Sequence, residues 1–317
     1  MNPIISSKHL KIFTGAILLL LLSCGKDTNP VDNTPILPQH LTWELRSSPS
    51  ITTPLSGIAN GLNQFVAVGF EGKIITSPDA INWTEQVSGT QDWLFSVAFG
   101  NNMFVAIGIE HTILTSADAI NWTSVSFPTT SWFSEVKFIN GTFVIVGESG
   151  TIQTSSDGIN WYKRNSGVSV FLNSIAYGNK QYVAVGDSGM VTTSPDAINW
   201  TSTSLGSLST KFSTISFGND RFTTISLSGL NFTGKDYDEY YTISFGLAGK
   251  CLHSLVFANN MFVAVGDSGA VVTSHNSDDW VENSYNTTSV LSDITFDGKQ
   301  FVAVGGDGLI IGAKTSN

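Results

Sequence analysis

One short phrase, an aromatic residue followed by Val-Ala-Val-Gly or a close variant, occurs seven times in this chain. Successive copies are 39 or 40 residues apart, and they begin at Phe65, Phe104, Phe143, Tyr182, Phe222, Phe262 and Phe301. A tandem repeat of about 40 residues that is built from short strands is typical of β-propellers, in which each repeat forms one blade. The repeat therefore predicts an all-β, seven-bladed β-propeller over residues 41–317.

The order of strands and turns within one repeat predicts four strands in each blade. In the second repeat, residues 96–99, 103–107, 112–115 and 120–125 have strand-like patterns, and the second of these is continuously apolar. Gly and Asn at positions 100–102 favour a tight hairpin turn. No part of the chain has a sustained helical period. We therefore expect antiparallel blades with essentially no helix.

The two ends of the repeat array complement each other. The last repeat contains three strands, at residues 292–296, 301–304 and 309–311, and lacks an outer strand. Residues 41–45 form an unpaired outer strand before the first repeat, and Trp43 precedes Trp83 by one repeat length. The N-terminal strand is therefore predicted to pair antiparallel with residues 309–312 and to close the ring, which removes two exposed sheet edges.

The turn between the third and fourth strands recurs as Ser-x-Asp followed by Trp. This pattern resembles the Asp-box, or BNR, repeat, although the spacing is one residue shorter than usual. The resemblance implies a structural role, in which the Ser and Asp side chains accept hydrogen bonds from turn amides and the Trp packs on a neighbouring strand. The positions are Asp79 with Trp83, Asp118 with Trp122, Asp157 with Trp161, and Asp196 with Trp200.

Over residues 41–315 the repeats also resemble the propeller of photosystem II assembly and stability factors, and more widely the YVTN/BNR-like group. The resemblance lies in the pattern of strands and turns within each repeat, and it implies a fold. It implies no photosynthetic function.

The N-terminus is typical of an export signal. Lys8 and Lys11 precede a short apolar run at residues 12–22, which is too short to span a membrane as a helix. The run ends in Leu-Leu-Ser-Cys at residues 21–24, which resembles the lipobox of bacterial lipoproteins. That resemblance implies a signal peptide at residues 1–23, lipidation of Cys24, and a flexible tether over residues 24–40. We expect a protein anchored by lipid in the cell envelope, at the outer membrane, on its periplasmic side or at the cell surface.

Composition restricts the partners of the chain. Its net charge is −10, and removal of residues 1–23 would remove two lysines and no acid. A strongly acidic surface disfavours nucleic acid as a partner. Cys251 is the only cysteine besides Cys24, so we expect no internal disulfide. We also expect no cofactor and a monomer.

Motifs that suggest catalysis have simpler explanations. Gly-Asp-Ser-Gly at residues 186–189 and 266–269 matches the nucleophile motif of chymotrypsin-like proteases, but both copies fall in a turn that other blades also form. The three arginines lie in positions where they are not expected to converge on a carboxylate, as a sialidase requires. The histidines have no spacing that suggests a metal site.

Acidic residues recur in the turn between the second and third strands, on the same predicted face as the connections between blades. Together with two tryptophans in those connections they form a candidate partner-binding face. Its residues are Glu71, Trp93, Glu110, Trp132, Glu148, Asp187, Asp267 and Asp307. The alternative explanation is that these acids make good turns and keep the protein soluble.

The fifth blade departs from the pattern. Its third turn contains three clustered acids, Asp236, Asp238 and Glu239. Carboxylates are calcium ligands, but this spacing fits no known calcium loop, and drift of the repeat is the favoured explanation. We predict no metal site.

Two functions remain from the sequence. The favoured one is a non-enzymatic binding or scaffolding module for a protein or glycan partner. The alternative is a carbohydrate-active enzyme, a glycoside hydrolase or lyase, that uses carboxylates near the propeller axis. The fold alone does not decide between them.

Overall fold

Seven antiparallel sheets of four strands each follow one another along the chain in the computed structural model. The structure describes residues 41–47, 50–127, 131–205, 207–227, 230–235, 241–244 and 251–315. These residues all belong to one unit, Pro38–Asn317. The predicted seven-bladed propeller is confirmed. The signal peptide, Cys24, the tether at residues 24–40 and the acids Asp236, Asp238 and Glu239 lie outside the described residues.

Each blade contains consecutive strands, except that the N-terminal strand β1 (Glu44–Leu45) belongs to blade 7. Blade 1 contains β2 (Leu55–Gly61), β3 (Gln64–Gly69), β4 (Ile74–Ser77) and β5 (Thr84–Gln86). Blade 2 contains β6 (Leu94–Gly100), β7 (Met103–Gly108), β8 (Ile113–Ser116) and β9 (Thr123–Ser124). Blade 3 contains β10 (Phe133–Ile139), β11 (Thr142–Gly147), β12 (Thr151–Ser155) and β13 (Tyr162–Asn165). Blade 4 contains β14 (Leu172–Gly178), β15 (Gln181–Gly186), β16 (Met190–Ser194) and β17 (Thr201–Ser204).

Blade 5 contains β18 (Phe212–Gly218), β19 (Arg221–Ser226), β20 (Leu230–Gly234) and β21 (Tyr241–Ser244). Blade 6 contains β22 (Leu252–Ala258), β23 (Met261–Gly266), β24 (Val271–Ser274) and β25 (Val281–Glu282). Blade 7 contains β26 (Leu291–Phe296), β27 (Gln300–Gly305) and β28 (Ile310–Lys314). Single 3-10 turns lie at Phe70–Gly72, Ile109–His111, Glu148–Gly150, Asp267–Gly269 and Gly306–Gly308.

The N-terminal strand closes the ring as predicted, but it is shorter than expected. Glu44 pairs with Gly312 and Leu45 pairs with Ile311 in an antiparallel ladder. Leu41 and Trp43 lie outside the ladder and are buried in the core between blades 6 and 7. The first residues of the predicted strand therefore hold it by side-chain packing. Backbone contact begins with the two ladder residues and continues at Arg46, whose N–H donates to Ile310 O at 2.7 Å.

The repeated aromatic of the second strand is the centre of each blade core. All seven of these side chains are buried, with at most 3 % of their surface exposed. In blade 3, for example, the Phe143 ring lies 4.7 Å from the Phe138 ring and 6.5 Å from the Trp161 ring. Trp161 is buried, whereas Trp83, Trp122 and Trp200 are half-buried. These three occupy the equivalent position, but the outer edge of the blade leaves part of each indole in solvent.

The turns divide into two faces. The upper face carries the turns between second and third strands together with the connections between blades, as shown by the hydrogen bond from Glu148 N–H to Trp132 O at 2.8 Å. The lower face carries the other hairpin turns, and there Asn101 Nδ2 donates to Ser156 O at 3.0 Å. Among the described residues, no helix has the length and apolar character needed to cross a membrane.

Candidate functional site

The upper-face acids occupy two different positions in the turn. Glu71, Glu110 and Asp307 are the second residue, where the backbone is left-handed, with φ between 49° and 55°. All three are exposed. Their side chains therefore carry negative charge on the solvent side of the upper face.

The other three acids are the first residue of the turn, and they are half-buried. Glu148 Oε2 accepts a hydrogen bond from Trp132 N–H at 3.2 Å, and Asp267 Oδ2 accepts one from Cys251 N–H at 3.1 Å. Asp187 Oδ1 accepts from Asn173 Nδ2 at 3.2 Å. These hydrogen bonds connect the turn to the start of the first strand of the same blade, which we call the inner strand because it lies nearest the propeller axis. The sequence presented the six acids as equivalent. The structure separates them into three exposed acids, of which Asp307 accepts from Ser289 Oγ at 2.9 Å, and three half-buried acids bonded to the start of the inner strand.

Two of the bonded acids also face a basic side chain. Lys211 Nζ lies 3.6 Å from Asp187 Oδ2, and His253 Nε2 lies 2.7 Å from Asp267 Oδ1. Burial alone would raise the pKa of Asp267, but the hydrogen bonds from His253 and from Cys251 N–H outweigh burial and hold that pKa below its usual value. The upper-face acids without a basic partner among the ion pairs of the described residues are therefore the exposed Glu71, Glu110 and Asp307 and the half-buried Glu148.

Two tryptophans stand on the upper face in consecutive blade connections. Trp93 is 45 % exposed and Trp132 is 56 % exposed. The Trp93 ring stacks on Phe70, with centroids 4.2 Å apart and planes 6° apart. The carbonyl of Trp93 accepts a hydrogen bond from Ile109 N–H at 2.9 Å, as that of Trp132 does from Glu148. The backbone of both residues is therefore held in place before any partner arrives, which lowers the entropic cost of binding.

The Ser-x-Asp turns of the lower face repeat one set of hydrogen bonds in blades 1 to 4. The Asp Oδ1 atom accepts from the backbone N–H groups two and three residues later, at 2.8–2.9 Å in each turn. The Ser Oγ atom accepts from the Asp N–H at 3.3–3.4 Å. Blade 6 repeats the arrangement with Asn276, which the sequence analysis missed because an amide replaces the acid.

These hydrogen bonds determine the charge of the turn carboxylates. The backbone N–H of the following Asn, with the other bonds of the turn, holds the pKa of each aspartate well below its usual range. A carboxylate that is ionised at all ordinary pH values and engaged within its own turn is suited to holding the turn. It is poorly suited to proton transfer.

The inner strands surround an axial cavity, and the sequence pattern did not single out the residues that line it. One ladder position, opposite the last Val or Ile of the second strand, recurs in the inner strand of every blade. Its occupants are Gly57, Ser96, Glu135, Ser174, Thr214, Ser254 and Asp293. Alignment of the inner strands would have revealed the two carboxylates as departures from small residues.

The side chains at this position connect blades. Ser96 Oγ accepts from Val136 N–H at 3.2 Å, and Ser174 Oγ accepts from Ile215 N–H at the same distance. Glu135 Oε2 accepts from Ile175 N–H at 2.9 Å. Each bond joins the inner strands of neighbouring blades, so Glu135 replaces a serine within a structural series.

Asp293 makes the corresponding connection between blades 7 and 1. Its Oδ2 accepts from Ile58 N–H at 2.8 Å, and its Oδ1 accepts from Ser254 Oγ at 2.7 Å. Burial raises the pKa of Asp293 to about 6, the hydrogen bonds oppose that rise, and the negative charge of Glu135 adds to it. The charge of Asp293 therefore changes closer to neutral pH than that of a solvent-exposed aspartate.

Lys137 lies at the axis beside Glu135. Its Nζ is 3.1 Å from Glu135 Oε1 and donates to Ile175 O at 3.0 Å. The lysine therefore reaches over the inner strand of blade 4. The remaining cavity has a volume of about 230 Å³ and is lined by inner strands of blades 1, 2, 3, 6 and 7. Among the described residues, no group of three or more His, Cys, Asp or Glu side chains is arranged to hold a metal ion.

Comparisons with known proteins show the fold. No family model and no curated protein matches the sequence. The solved structure of YCF48 bound to a D1 peptide is similar with a TM-score of 0.71 at 18 % identity, over 86 % of this chain and 97 % of that one. YCF48 from Cyanidioschyzon merolae gives 0.70 at 17 % identity, over 86 % and 98 %.

A third similar structure is an enzyme. A catalytically inactive variant of virginiamycin B lyase from Staphylococcus aureus, solved with quinupristin, gives a TM-score of 0.77 at 10 % identity, over 87 % of this chain and 100 % of that one. Because identities this low establish architecture alone, what the comparisons establish is that this chain has the β-propeller fold shared by a peptide-bound protein and a lyase.

Proposed function

We propose that this protein is a lipid-anchored envelope propeller that binds a protein partner through its upper face, without catalysis. The observation that carries the proposal is the pair of exposed indoles, Trp93 and Trp132, on a held backbone and on a face that carries the exposed carboxylates of the upper-face turns. Tryptophan is enriched among the residues that dominate binding energy at protein interfaces.

The negative charge of the upper face indicates which residues a partner should present to it. Glu71 and Glu110 lie in the turns of blades 1 and 2, and the Trp93 connection joins these two blades. Carboxylates beside an exposed aromatic favour a partner segment that carries Lys or Arg next to an apolar side chain, since complementary charge speeds association and aligns the partner. The YCF48 structure with its D1 peptide is a precedent for a peptide on this fold.

Capture from envelope extracts of the source organism tests the face. Trp93→Ala with Trp132→Ala should reduce the captured partner by about tenfold or more, as expected for the loss of a dominant interface residue. The matched control is Ile120→Ala with Ile159→Ala on the lower face, where the isoleucines are 57 % and 50 % exposed. Equal capture by wild type and the double tryptophan variant would contradict the proposal.

The charge component has its own test. Glu71→Lys with Glu110→Lys should weaken capture at low salt and reduce its dependence on ionic strength. The melting temperature should hardly change, because exposed turn charges contribute little stability. Unchanged capture at all salt concentrations would exclude these carboxylates from the interface.

The envelope location is tested at the anchor. Cys24→Ser should abolish metabolic labelling by a fatty acid and release the protein from the membrane fraction. An unlabelled variant that stays in that fraction would show that the apolar run at residues 12–22 is the anchor instead.

A carbohydrate-active enzyme is the second candidate, and one observation favours it. Glu135 and Asp293 line the same cavity, and the pKa of Asp293 is raised to about 6, so one carboxyl of the pair has the protonation behaviour of a general acid. Both carboxylates are nevertheless bonded to backbone amides of the next blade. The cavity of about 230 Å³ is also below the usual size of ligand pockets. Glycan hydrolysis or elimination by the purified protein, lost in Asp293→Asn, would establish the enzyme.

A further inference from the structure

Six of the seven interfaces between neighbouring blades are filled by an aromatic ring from the inner strand. Each ring packs on the repeated aromatic of its own second strand, with centroids 4.5–4.8 Å apart. The six rings are Phe99, Phe138, Tyr177, Phe217, Phe257 and Phe296.

These rings also cover the preceding blade. A Cβ atom placed on Gly61 or Gly100 would lie within 2.2 Å of the Phe99 or Phe138 ring, respectively. Glycine at the end of one inner strand thus makes room for the ring of the next blade. Blade interfaces 4/5 and 5/6 use Gly178 and Gly218 in the same way.

The interface between blades 7 and 1, which we call the closing interface, departs from this pattern on both sides. Asn60 takes the place of the ring, opposite Phe65 in the ladder, and Asp297 follows the inner strand of blade 7 where four other blades have glycine. Asn60 Oδ1 accepts from Thr295 Oγ1 at 3.0 Å. Asp297 Oδ1 accepts from the N–H groups of Lys299 and Gln300 at 2.8 Å.

A pocket of about 410 Å³ opens on the lower face at this interface. Its volume lies within the 300–1,000 Å³ that is usual for small-molecule sites, whereas the axial cavity is smaller. Its lining consists of Asn60, Gly61, Leu62, Asn63, Gln64, Phe65, Pro78, Asp297 and Lys299.

The lining mixes two exposed apolar side chains, Leu62 and Pro78, with groups that both donate and accept hydrogen bonds. The amides of Asn60, Asn63 and Gln64 offer donors and acceptors, Asp297 offers acceptors, and Lys299 offers donors. A purely apolar occupant would contact Leu62 and Pro78 but would remove these polar groups from water without partners, which is costly. A pyranose has an apolar C–H face for Leu62 and Pro78, and it has hydroxyl groups that donate and accept for the amides.

We propose that the pocket of the closing interface binds one pyranose unit of a glycan. The site is on the face opposite Trp93 and Trp132. The proposal depends on the absence of an aromatic ring at Asn60, so it is independent of the proposed partner of the upper face.

Saturation-transfer NMR with the purified full-length protein tests the site. The probes are free glucose, galactose, mannose and N-acetylglucosamine. At least one should receive saturation from the wild type. Gln64→Ala should weaken that binding by about fivefold, which corresponds to one hydrogen bond. The matched control is Asn102→Ala in the corresponding turn of blade 2, which should bind like the wild type.

A filled pocket provides the decisive variant. Asn60→Phe with Asp297→Gly reproduces the pattern of the other interfaces, so it should keep the circular dichroism spectrum and cooperative melting while losing the sugar signal at least tenfold. Asn60→Phe alone is the second variant, because blade 6 already combines Ala258 with the Phe296 ring.

Two results would overturn the proposal. One is that none of the sugars receives saturation from the wild type, or that the sugars receive as much saturation from the Asn60→Phe, Asp297→Gly variant as from the wild type. The other is transfer to N-acetylphenylalanine amide in place of the sugars, which would assign the pocket to an aromatic side chain of a protein. Capture by the upper face should be unchanged in the filled variant, which separates failure of this site from failure of the proposed function.

Discussion

The closing interface between blades 7 and 1 and the other six blade interfaces join the same elements by different chemistry. The six are filled by rings such as Phe99 and Phe138, packed on the aromatic of the second strand. The closing interface instead has Asn60 bonded to Thr295. It also has a chain of polar contacts in which Arg46 Nη1 donates to Gln300 Oε1 at 3.2 Å and Gln300 Nε2 donates to Asp79 O at 3.4 Å.

This difference teaches where to look for function in a repeat protein. Positions that are the same in every blade are explained by packing, because each blade must bury the same faces. Positions that depart from the pattern need another reason. Asn60, Glu135 and Asp293 all depart from it, and all lie beside a cavity or pocket.

The largest effect should come from removing the closing strand. Deletion of residues 41–47 removes Leu41 and Trp43 from the core of blades 6 and 7 and exposes the edge of β28. We expect loss of cooperative thermal unfolding, or the lowest melting temperature of any variant described here, measured by circular dichroism. Deletion of residues 25–39 is the control and should leave the domain folded. Equal melting of the two deletions would show that the ring closes without β1.

The next largest effect is the difference in stability lost when a side chain is truncated at a ring-filled interface and at the closing interface. Phe138→Ala should cost about 3–5 kcal/mol of unfolding free energy, because it leaves a cavity beside Phe143. Asn60→Ala should cost only about 1 kcal/mol, the value of one hydrogen bond. Denaturant titration measures both. Similar costs would mean that the two kinds of interface contribute equally to stability.

A pH effect should distinguish the closing interface through Asp293. The folded pKa of about 6 lies above the unfolded value of about 4, so the folded state binds the proton more tightly. Stability should therefore fall as pH rises from about 4 to about 6, by on the order of 2 kcal/mol, and then level off. Unfolding titrations across this range should show the fall in the wild type and not in Asp293→Asn.

The Ser-x-Asp turns of the lower face provide the control for that experiment, because their aspartates change the pH dependence of stability in the opposite direction. The pKa of Asp79 and of its three equivalents is lowered, so their contribution is present above pH 4 and is lost as pH falls below it. Asp293→Asn should retain this acid-side loss. Persistence of the fall between pH 4 and 6 in Asp293→Asn would assign that pH dependence to a group other than Asp293.

The smallest effect should come from giving the closing interface the ring that it lacks. Asn60→Phe with Asp297→Gly should change the unfolding free energy by no more than about 1 kcal/mol. The added aromatic pair with Phe65 offsets the lost Asn60 contact to Thr295 and the lost Asp297 bonds to the following N–H groups. A strongly destabilised variant would show that the closing interface is too narrow for a ring. The polar residues would then be required for closure.

How much of the structure could be predicted from the sequence depends on how far apart in the chain the interacting residues lie. Hairpin turns and the Ser-x-Asp turns depend on residues two or three positions apart, so their patterns were visible in one repeat. Equivalence of the upper-face acids was not a reliable inference, because the role of Glu148 depends on contact with the Trp132 backbone, 16 residues away.

The sequence by itself determined the seven blades, their aromatic centres and the closing strand, because one unit repeated at a constant interval can bury its faces only against copies of itself. The tertiary structure decided what lies between the blades. Asp293 reaches Ile58 and Thr295 reaches Asn60 across 235 residues of chain. Contacts of that separation leave no periodic trace in the sequence, and they occur where the first and last repeats meet because the ring closes there.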